Sequence, residues 1–169
     1  MAAADAWISL GGNQGNTRAL FREVPVRLGT QAGLSAIAQS SLYRTPPWGD
    51  EDQPPFLNAV LRLKSDLDAR SLFGVLEVLE RDLGRERNPD RRWGPRCIDL
   101  DLLMFGRQVM SSPALTIPHP RLHERAFVLV PLEELSPGLS IPGYGPVSER
   151  LAALDRSGIE TVCGPGWAD

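Results

Sequence analysis

The chain has 169 residues, of which 42% are hydrophobic and 23% are charged, with a formal net charge of −3 and a sequence pI of about 5.4. These values are typical of one globular domain over residues 1–169, and they exclude a global positive field that would attract nucleic acid or membranes. The sequence has no apolar run near the ~18 residues of a membrane span and no secretory signal pattern at its N-terminus, so we expect a cytoplasmic monomer without nucleic-acid or membrane partners.

The first half of the chain predicts two strands that flank a helix. In chain order the predicted elements are a strand over residues 6–10, a loop over 11–16, a helix from Thr17, a strand over 34–43 and a loop over 44–55. Asn16 can cap the helix. Pro25 lies inside it and predicts a kink or an early end, because proline lacks the N–H that a helix interior needs. The second loop holds four prolines and has a length that is uncommon in loops without a function.

The second half contains the clearest strand and the clearest helix. The predicted elements are a strand over 56–64, a helix over 69–83, a loop over 85–95, a strand over 98–105, a helix or strand over 126–135, a short helix over 146–154 and an edge strand over 159–162. Asp68 and Gly84 suit the start and end of the 69–83 helix. The element order predicts an α+β fold with a ferredoxin-like βαββαβ core and extra C-terminal elements. We expect αβα layers around a mainly antiparallel sheet.

The most informative short motif is Asp99-Leu100-Asp101. Side chains alternate along a strand, so the two carboxylates share one face with Cα atoms roughly 6.6 Å apart. Neighbouring carboxylates repel each other, and divalent cations remove the repulsion, so the pair is a candidate Mg²⁺ site. A solvated face or two separate salt bridges with nearby arginines fits the spacing equally well. We expect the strand that carries the pair to be central in the sheet.

Arginines cluster immediately before this pair. Six of the chain's seventeen arginines lie between residues 81 and 96: Arg81, Arg85, Arg87, Arg91, Arg92 and Arg96. Cationic side chains beside carboxylate-held Mg²⁺ suit phosphoryl transfer, whose transition state spreads negative charge over the phosphate oxygens. An exposed, salt-bridged helix end is the alternative. A P-loop nucleotidase is excluded, because the only lysine, Lys64, follows no glycine-rich loop.

Two further pairs of residues are candidate ligand contacts. His119 and His123 are four residues apart, but Pro120 between them argues against a zinc-binding helix. A phosphate contact from His119 and a structural loop histidine remain equally compatible with the spacing. Phe56 and Asn58 share one face of their strand and suit a flat heteroaromatic ring, although a phenylalanine in a strand more often belongs to the core.

The segment over residues 92–103, Arg-Trp-Gly-Pro-Arg-Cys-Ile-Asp-Leu-Asp-Leu-Leu, resembles the signature of the 6-hydroxymethyl-7,8-dihydropterin pyrophosphokinase family. Further blocks follow in the family's order at residues 43–47, 52–54, 56–59, 115–119 and 125–129, so the resemblance covers about residues 7–135. It implies an enzyme of folate biosynthesis that transfers diphosphate from ATP to the 6-hydroxymethyl group of the pterin and releases AMP. It also implies two Mg²⁺ ions, with ATP as co-substrate.

The resemblance also implies roles for individual residues. The implied catalytic residues are Arg85, Arg96, Asp99 and Asp101, and the two aspartates would hold the Mg²⁺ ions. The implied ATP-binding residues are Glu80, Arg87, Arg92, Arg96, Leu102, Leu115, Thr116, His119 and Arg125. The implied pterin-binding residues are Thr45, Pro46, Trp48, Phe56, Asn58, Asp99 and Phe127, with the pterin ring stacked between the two phenylalanines.

Two other functions are compatible with parts of the sequence. The D-x-D motif also occurs in metal-dependent nucleotidyl and glycosyl transferases, although this chain has little room for a sugar- or nucleic-acid-binding region. A ferredoxin-like fold can also be a non-enzymatic RNA- or partner-binding module, but such a module needs exposed aromatics within a basic surface. The negative net charge favours the enzyme.

Overall fold

The computed structural model describes residues 3–47, 49–85, 90 and 93–168. In this part of the chain the helices are α1 (Thr17–Thr30), α2 (Ala69–Asp82), α3 (Ala126–Leu135) and α4 (Val147–Ala152). The strands are β1 (Ala4–Gly12), β2 (Leu34–Gln39), β3 (Leu42–Thr45), β4 (Phe56–Ser65), β5 (Asp99–Phe105), β6 (Met110–Ser111), β7 (Thr116–Ile117), β8 (Ser140–Ile141), β9 (Gly145–Pro146) and β10 (Glu160–Cys163). Short 3-10 turns cover Leu122–Glu124 and Pro165–Ala168.

One antiparallel sheet organises these elements. Its strands lie in the order β10-β3-β4-β1-β5, and β2 also pairs with β4. The pairs β6–β7 and β8–β9 form two small separate hairpins. The α+β class and the mainly antiparallel sheet are therefore confirmed, whereas the finer ferredoxin-like assignment stays a prediction.

The sheet buries both of its faces, because successive side chains of a strand point to opposite sides. On one side Ala6, Ile8 and Leu10 of β1 pack with residues of α1 and α2. On the other side Trp7 packs with Val60 and with residues of α3 and α4. Helices thus cover both faces of the sheet, in the layered arrangement that the sequence predicts.

Tertiary packing overrides two local signals in the first half of the chain. The early end of α1 at Pro25 is wrong: the helix continues to Thr30, and its buried residues Phe21, Val24 and Leu28 hold it against the core on both sides of the proline. The predicted strand over 34–43 is divided at Ser40, whose hydroxyl accepts a hydrogen bond from the Val60 N–H at 2.9 Å. The divided strand pairs with two different stretches of β4.

Most other predicted elements are confirmed. Asp68 caps α2 by accepting a hydrogen bond from the Ser71 N–H at 2.8 Å, and Gly84 follows the helix with φ +93°, a conformation that glycine adopts without strain. The 126–135 segment is a helix rather than a strand, and the short helix α4 and the edge strand β10 both form. The structure adds the two small hairpins, which the sequence does not predict.

The position of β5 corrects one expectation. Among the described strands β5 pairs only with β1 and lies at the edge of the sheet, whereas the sequence predicts a central strand. Its long apolar run gives the appearance of a central strand, because both of its faces are buried by helices or loops. The edge position brings the start of β5 beside the loops that precede it, where the candidate site lies.

Candidate functional site

A cavity of about 370 Å³ opens on the face of the sheet that carries α3. Small and polar side chains form its floor: Ser9, Gly11, Asn58, Asp99 and Asp101. Gly11 lies opposite Asn58 in β4 and opposite Asp99 in β5. A Cβ atom at Gly11 would lie 3.2 Å from Asn58 Oδ1, which is tighter than ordinary van der Waals contact. The glycine therefore leaves room for a ligand between the amide and the carboxylate.

Most of the residues that the sequence assigns to the site line this one cavity. They are Thr45, Pro46, Phe56, Asn58, Glu80, Arg85, Arg96, Asp99, Asp101, His119, Arg125 and Phe127. They come from several strands, two helices and the loops between them, so the fold collects residues that are far apart in the chain. This gathering agrees with the predicted set, and the role of each residue stays a prediction.

Asp99 pairs with two arginines, one on each of its carboxylate oxygens. Arg85 Nη1 lies 3.0 Å from Oδ1 and Arg96 Nη1 lies 3.2 Å from Oδ2. The side chains of both arginines are mostly buried, with exposed fractions of 14% and 13%. Arg85 Nε is buried and has no hydrogen-bond partner among the described residues. These arginines place positive charge directly beside the predicted metal pair.

Asp101 lies two residues farther along β5, on the same face. It faces Arg125, whose Nη1 lies 3.9 Å from Oδ2. Burial and the neighbouring carboxylate of Asp99 raise the pKa of Asp101 to about 7, because both effects disfavour its negative charge. The pair thus carries electrostatic strain of the kind that a divalent cation relieves.

Glu80 connects α2 to β5 at the edge of the cavity. Its Oε2 accepts a hydrogen bond from the Leu100 N–H at 2.8 Å, and its Oε1 lies 2.8 Å from Arg85 Nη1. Burial raises the pKa of Glu80, whereas its hydrogen bonds act in the opposite direction. Glu80 therefore holds both Arg85 and the backbone between the two aspartates. These contacts fix its own position beside the predicted nucleotide site.

The opposite end of the cavity combines aromatic rings with a buried amide. Asn58 Nδ2 donates a hydrogen bond to Thr45 Oγ1, and both residues are buried. The Arg96 guanidinium lies 5.5 Å from the centre of the Phe56 ring, and that of Arg125 lies 5.8 Å from the centre of the Phe127 ring. The arginines thus lie between the aromatic end and the carboxylates.

His119 lies, in its neutral form, beside the arginines Arg121 and Arg125, which we call the cationic wall. Its Nδ1 accepts a hydrogen bond from the Arg121 N–H at 3.2 Å, so the proton of the neutral ring is on Nε2. Burial and the nearby charge of Arg125 lower the pKa of His119 to about 4. Near neutral pH the ring can therefore donate one hydrogen bond, from Nε2, to a phosphate oxygen.

The lowered pKa of His119 predicts a loss of stability in acid. The unfolded chain binds a proton at this residue as the pH falls below about 6.5, whereas the folded protein does so only near 4. Relative to a His119→Gln variant, the wild-type free energy of unfolding should fall by about 2 kcal/mol between pH 7 and pH 5. Urea denaturation of both proteins at the two pH values measures this difference. A pH dependence shared by both proteins would show that His119 has an ordinary pKa.

Some predicted residues lie elsewhere or outside the described part of the chain. Leu102 and Leu115 are buried in the core, and Thr116 belongs to the small β6–β7 hairpin; none of the three lines the cavity. Their proposed proximity to ATP stays a prediction. Trp48, Arg87 and Arg92 fall outside the described residues, so their roles stay predictions from the sequence.

The cavity also contains residues that the sequence analysis did not assign. Ser9 and Gly11 were detectable in principle, because they are the small residues on the face of β1 opposite its apolar side chains. Trp93 and Arg121 lack such a signal, since both come from segments without periodicity. The Arg121 guanidinium lies 5.1 Å from the centre of the Trp93 ring, and that of Arg125 lies 5.6 Å from it. Trp93 thus covers the cationic wall.

Comparisons with known proteins identify the family of this chain. The family model described as 7,8-dihydro-6-hydroxymethylpterin-pyrophosphokinase (HPPK) matches residues 7–137. A Methylorubrum extorquens protein named 2-amino-4-hydroxy-6-hydroxymethyldihydropteridine pyrophosphokinase is 45% identical over 157 residues, which cover 93% of this chain and 98% of that protein. A Bacillus subtilis protein of the same name is 41% identical over 130 residues, which cover 77% of each chain.

Solved structures give the same result for the fold. The crystal structure of wild-type Plasmodium falciparum HPPK-DHPS with pteroate matches 89% of this chain with a TM-score of 0.69 and 15% sequence identity. This chain spans 42% of that longer chain, and a likeness at this identity shows the fold alone. The family model and the relatives carry the assignment further: the chain belongs to the 7,8-dihydro-6-hydroxymethylpterin-pyrophosphokinase family.

Proposed function

We propose that this chain transfers diphosphate from ATP to the 6-hydroxymethyl group of 6-hydroxymethyl-7,8-dihydropterin and releases AMP, as a step of folate synthesis. The observation that carries the proposal is one cavity in which Asp99, Asp101 and a group of arginines adjoin an aromatic end. The names of the relatives from two bacteria agree with it.

The reaction forms one bond and breaks another at the β-phosphorus of ATP. The hydroxymethyl oxygen attacks this phosphorus and loses its proton to solvent, and the oxygen that bridges the α- and β-phosphorus atoms leaves with AMP. The protein has little covalent work to do in such a transfer, so catalysis consists of positioning and charge stabilisation. Arg85, Arg96 and Arg125 lie where guanidinium groups can meet charge that develops on the phosphate oxygens.

Asp99 and Asp101 fit a magnesium site that substrate phosphates complete. Mg²⁺ is usually held by one or two carboxylates together with water and phosphate oxygens, and these two carboxylates share one face of β5 above the cavity. No cluster of three or more His, Cys, Asp or Glu side chains suited to a metal occurs in the described residues, which agrees with a site that needs the nucleotide. We propose two ions here; when bound, they would neutralise charge on the transferred phosphates.

At the other end of the cavity the proposal assigns the pterin to Phe56 and Phe127, with Asn58, Thr45 and Pro46 along its polar edge. Asn58 and Thr45 already share a hydrogen bond, so their remaining donor and acceptor positions are fixed in direction. A buried amide that is fixed in this way discriminates against rings that lack its partners. Trp48 and Asp99 complete the proposed set of pterin-binding residues.

Replacing Phe127 with alanine should weaken pterin binding and leave ATP binding nearly unchanged. A stacking partner for a planar base contributes about 1–3 kcal/mol by alanine substitution, so we expect a loss of about tenfold to a hundredfold in pterin affinity. Equilibrium titrations with each ligand and the melting temperature of the same variant measure the effect. Equal losses for both ligands with a large fall in melting temperature would instead assign Phe127 to the core.

The direct test of the proposed function is AMP release. The purified protein is incubated with ATP, Mg²⁺ and 6-hydroxymethyl-7,8-dihydropterin, and AMP is measured with and without the pterin. We expect AMP only when pterin, ATP and metal are all present. ADP in place of AMP, or nucleotide cleavage without the pterin, would overturn the proposal. Either result would favour the alternative function of a D-x-D nucleotidyl or glycosyl transferase.

The remaining sequence-level expectations concern assembly and location. No helix in the described residues is long and apolar enough to cross a membrane. Both hydrophobic clusters pack against the same sheet, which supports the proposal of a single domain over residues 1–169. A cytoplasmic monomer that acts on small molecules, without nucleic-acid or membrane partners, stays a prediction.

A further inference from the structure

Two amide side chains connect three segments at the rim of the cavity. Asn13 lies in the loop between β1 and α1, and its Oδ1 accepts a hydrogen bond from the Arg96 N–H at 3.0 Å. Its Nδ2 donates to Gln53 Oε1 at 3.0 Å and to the Pro54 carbonyl at 2.9 Å. The main-chain N–H groups of Asn13 and Gln14 both donate to the Arg96 carbonyl, at 2.9 and 3.1 Å. Asn13 therefore holds the backbone of Arg96 from both sides.

Gln53 continues this connection from the loop between β3 and β4. Its Oε1 accepts from Asn13, and its Nε2 donates to the carbonyl oxygens of Asp50 at 2.5 Å and Trp93 at 2.6 Å. Each NH₂ group has two protons to donate, and those of both amides are fully used. Asn13 and Gln53 thus form one continuous hydrogen-bonded junction, which we call the amide junction.

The amide junction holds the main chains of two residues that line the cavity, Trp93 and Arg96. Trp93 lies over the arginine side chains of the cationic wall, and Gln53 holds its carbonyl. Arg96 lies 5.5 Å from the centre of the Phe56 ring and pairs with Asp99, and Asn13 holds its main chain. The junction itself does not line the cavity, so its amides act only through the residues that they hold.

We infer that Asn13 and Gln53 are positioning residues for the transfer reaction. They fix the position of Arg96 relative to the carboxylates of β5. This inference rests on the proposed function. A misplacement of about 1 Å in a catalytic group can lower a rate about a hundredfold, and Arg96 enters the site from a loop rather than from a strand or helix. The amide junction holds the main chain of Arg96 through its N–H and its carbonyl.

Alanine at either position should lower kcat by about tenfold to a hundredfold while the affinity for the pterin changes less than about twofold, because Phe56, Asn58 and Phe127 are untouched. The double variant Asn13→Ala/Gln53→Ala should be no slower than the slower single variant, because each change breaks the same junction. In an Arg96→Ala background Gln53→Ala should lower kcat by less than about twofold, since the group that it positions is gone. A merely structural role would multiply the losses.

The experiment compares kcat, pterin affinity and melting temperature for these variants and for two controls. Gln39→Ala is the matched control: its Nε2 also donates to a backbone carbonyl, that of Pro165, at 2.8 Å, but far from the site, and its kcat should stay at the wild-type value. Gln53→Glu keeps the shape of the side chain and sets a carboxylate oxygen against the Asp50 and Trp93 carbonyls. It should reproduce the loss of kcat if Gln53→Ala does not fold.

Hydrogen exchange gives a readout that does not depend on activity. The Arg96 N–H should exchange faster in Asn13→Ala and in Gln53→Ala than in wild type, and it should be unchanged in Gln39→Ala. A wild-type kcat in the folded variants, or the full Gln53→Ala loss in the Arg96→Ala background, would overturn the inference. If the wild-type protein released no AMP at all, the proposed function would fail instead, and unchanged exchange at Arg96 would then be the result that overturns the amide junction.

Discussion

Asn in place of Asp101 should lower kcat for diphosphate transfer by about a thousandfold or more, and at the same time make the metal-free protein more stable at pH 8. The catalytic loss follows because the substitution keeps the shape of the side chain but removes a charge from the proposed metal site. The gain in stability follows because burial and Asp99 already disfavour the Asp101 carboxylate, whose pKa is raised to about 7. An uncharged amide does not carry this cost.

The pH dependence of the stability gain has a definite sign. A carboxyl group whose pKa is raised on folding gains relative stability in the folded state as the pH falls through that value. The difference in free energy of unfolding between Asp101→Asn and wild type should therefore be large at pH 8 and clearly smaller at pH 5. Denaturation in EDTA at the two pH values measures it, beside an AMP-release assay.

Asp99→Asn is the matched comparison for this experiment. It should also lose activity, but without a gain in stability, because Asp99 is the shared partner of Arg85 and Arg96. Removing one member of a part-buried ion-pair group leaves its partners without compensation. Near-wild-type turnover in either variant would show that the carboxylates do not hold the metal, and higher stability for Asp99→Asn would show that its arginine contacts contribute nothing.

Alanine in place of Arg96 should lower kcat by about a hundredfold to a thousandfold and leave pterin affinity almost unchanged. Loss of one preorganised donor to developing charge has an effect of this size. The Arg96 guanidinium contacts Asp99 and also donates to the Gly94 carbonyl from Nε and Nη2, at 3.2 and 3.0 Å. Its orientation is thus fixed before any substrate binds, and preorganisation of this kind acts mainly on the transition state.

Two further substitutions sharpen the Arg96 prediction. Arg96→Lys should recover little of the lost kcat, since a lysine cannot reproduce the planar set of donors that reaches Gly94 and Asp99 together. Arg27→Ala removes one positive charge from the surface of α1, where Arg27 pairs with Glu23 at 3.4 Å, and should keep wild-type kcat. A large loss of pterin affinity with normal kcat in Arg96→Ala would assign Arg96 to the pterin end of the cavity.

Local patterns predicted the site best where they determine side-chain direction. The alternation in β5 predicted that Asp99 and Asp101 share a face while Leu100 points into the core, and the structure agrees. The same alternation in β4 separated Asn58 from the apolar side of its strand. These predictions succeed because direction along a strand depends only on its two-residue period.

Long-range pairing leaves no such local pattern in the sequence. Nothing in the apolar run of β5 distinguishes an edge strand from a central one, because helices and loops bury both kinds equally. The helix α1 continues past Pro25 because apolar residues on both sides of the proline are buried. Asn13 and Gln53 carry no periodic signal, since a hydrogen bond between two loops depends on how the sheet brings the loops together.

The ion pairs of the cavity have a thermodynamic consequence for how cation and nucleotide affect each other's binding. Arg85 and Arg96 are engaged with Asp99, and Arg125 lies beside Asp101, so the free protein carries its own counter-ions. A divalent cation at the carboxylates would take over the role of the guanidinium groups and turn their donors toward the phosphates of a nucleotide. Each ligand would thereby prepare the site for the other, and linkage requires the benefit to be equal in both directions. The cation and the nucleotide should therefore each bind more tightly when the other is bound than when it is absent.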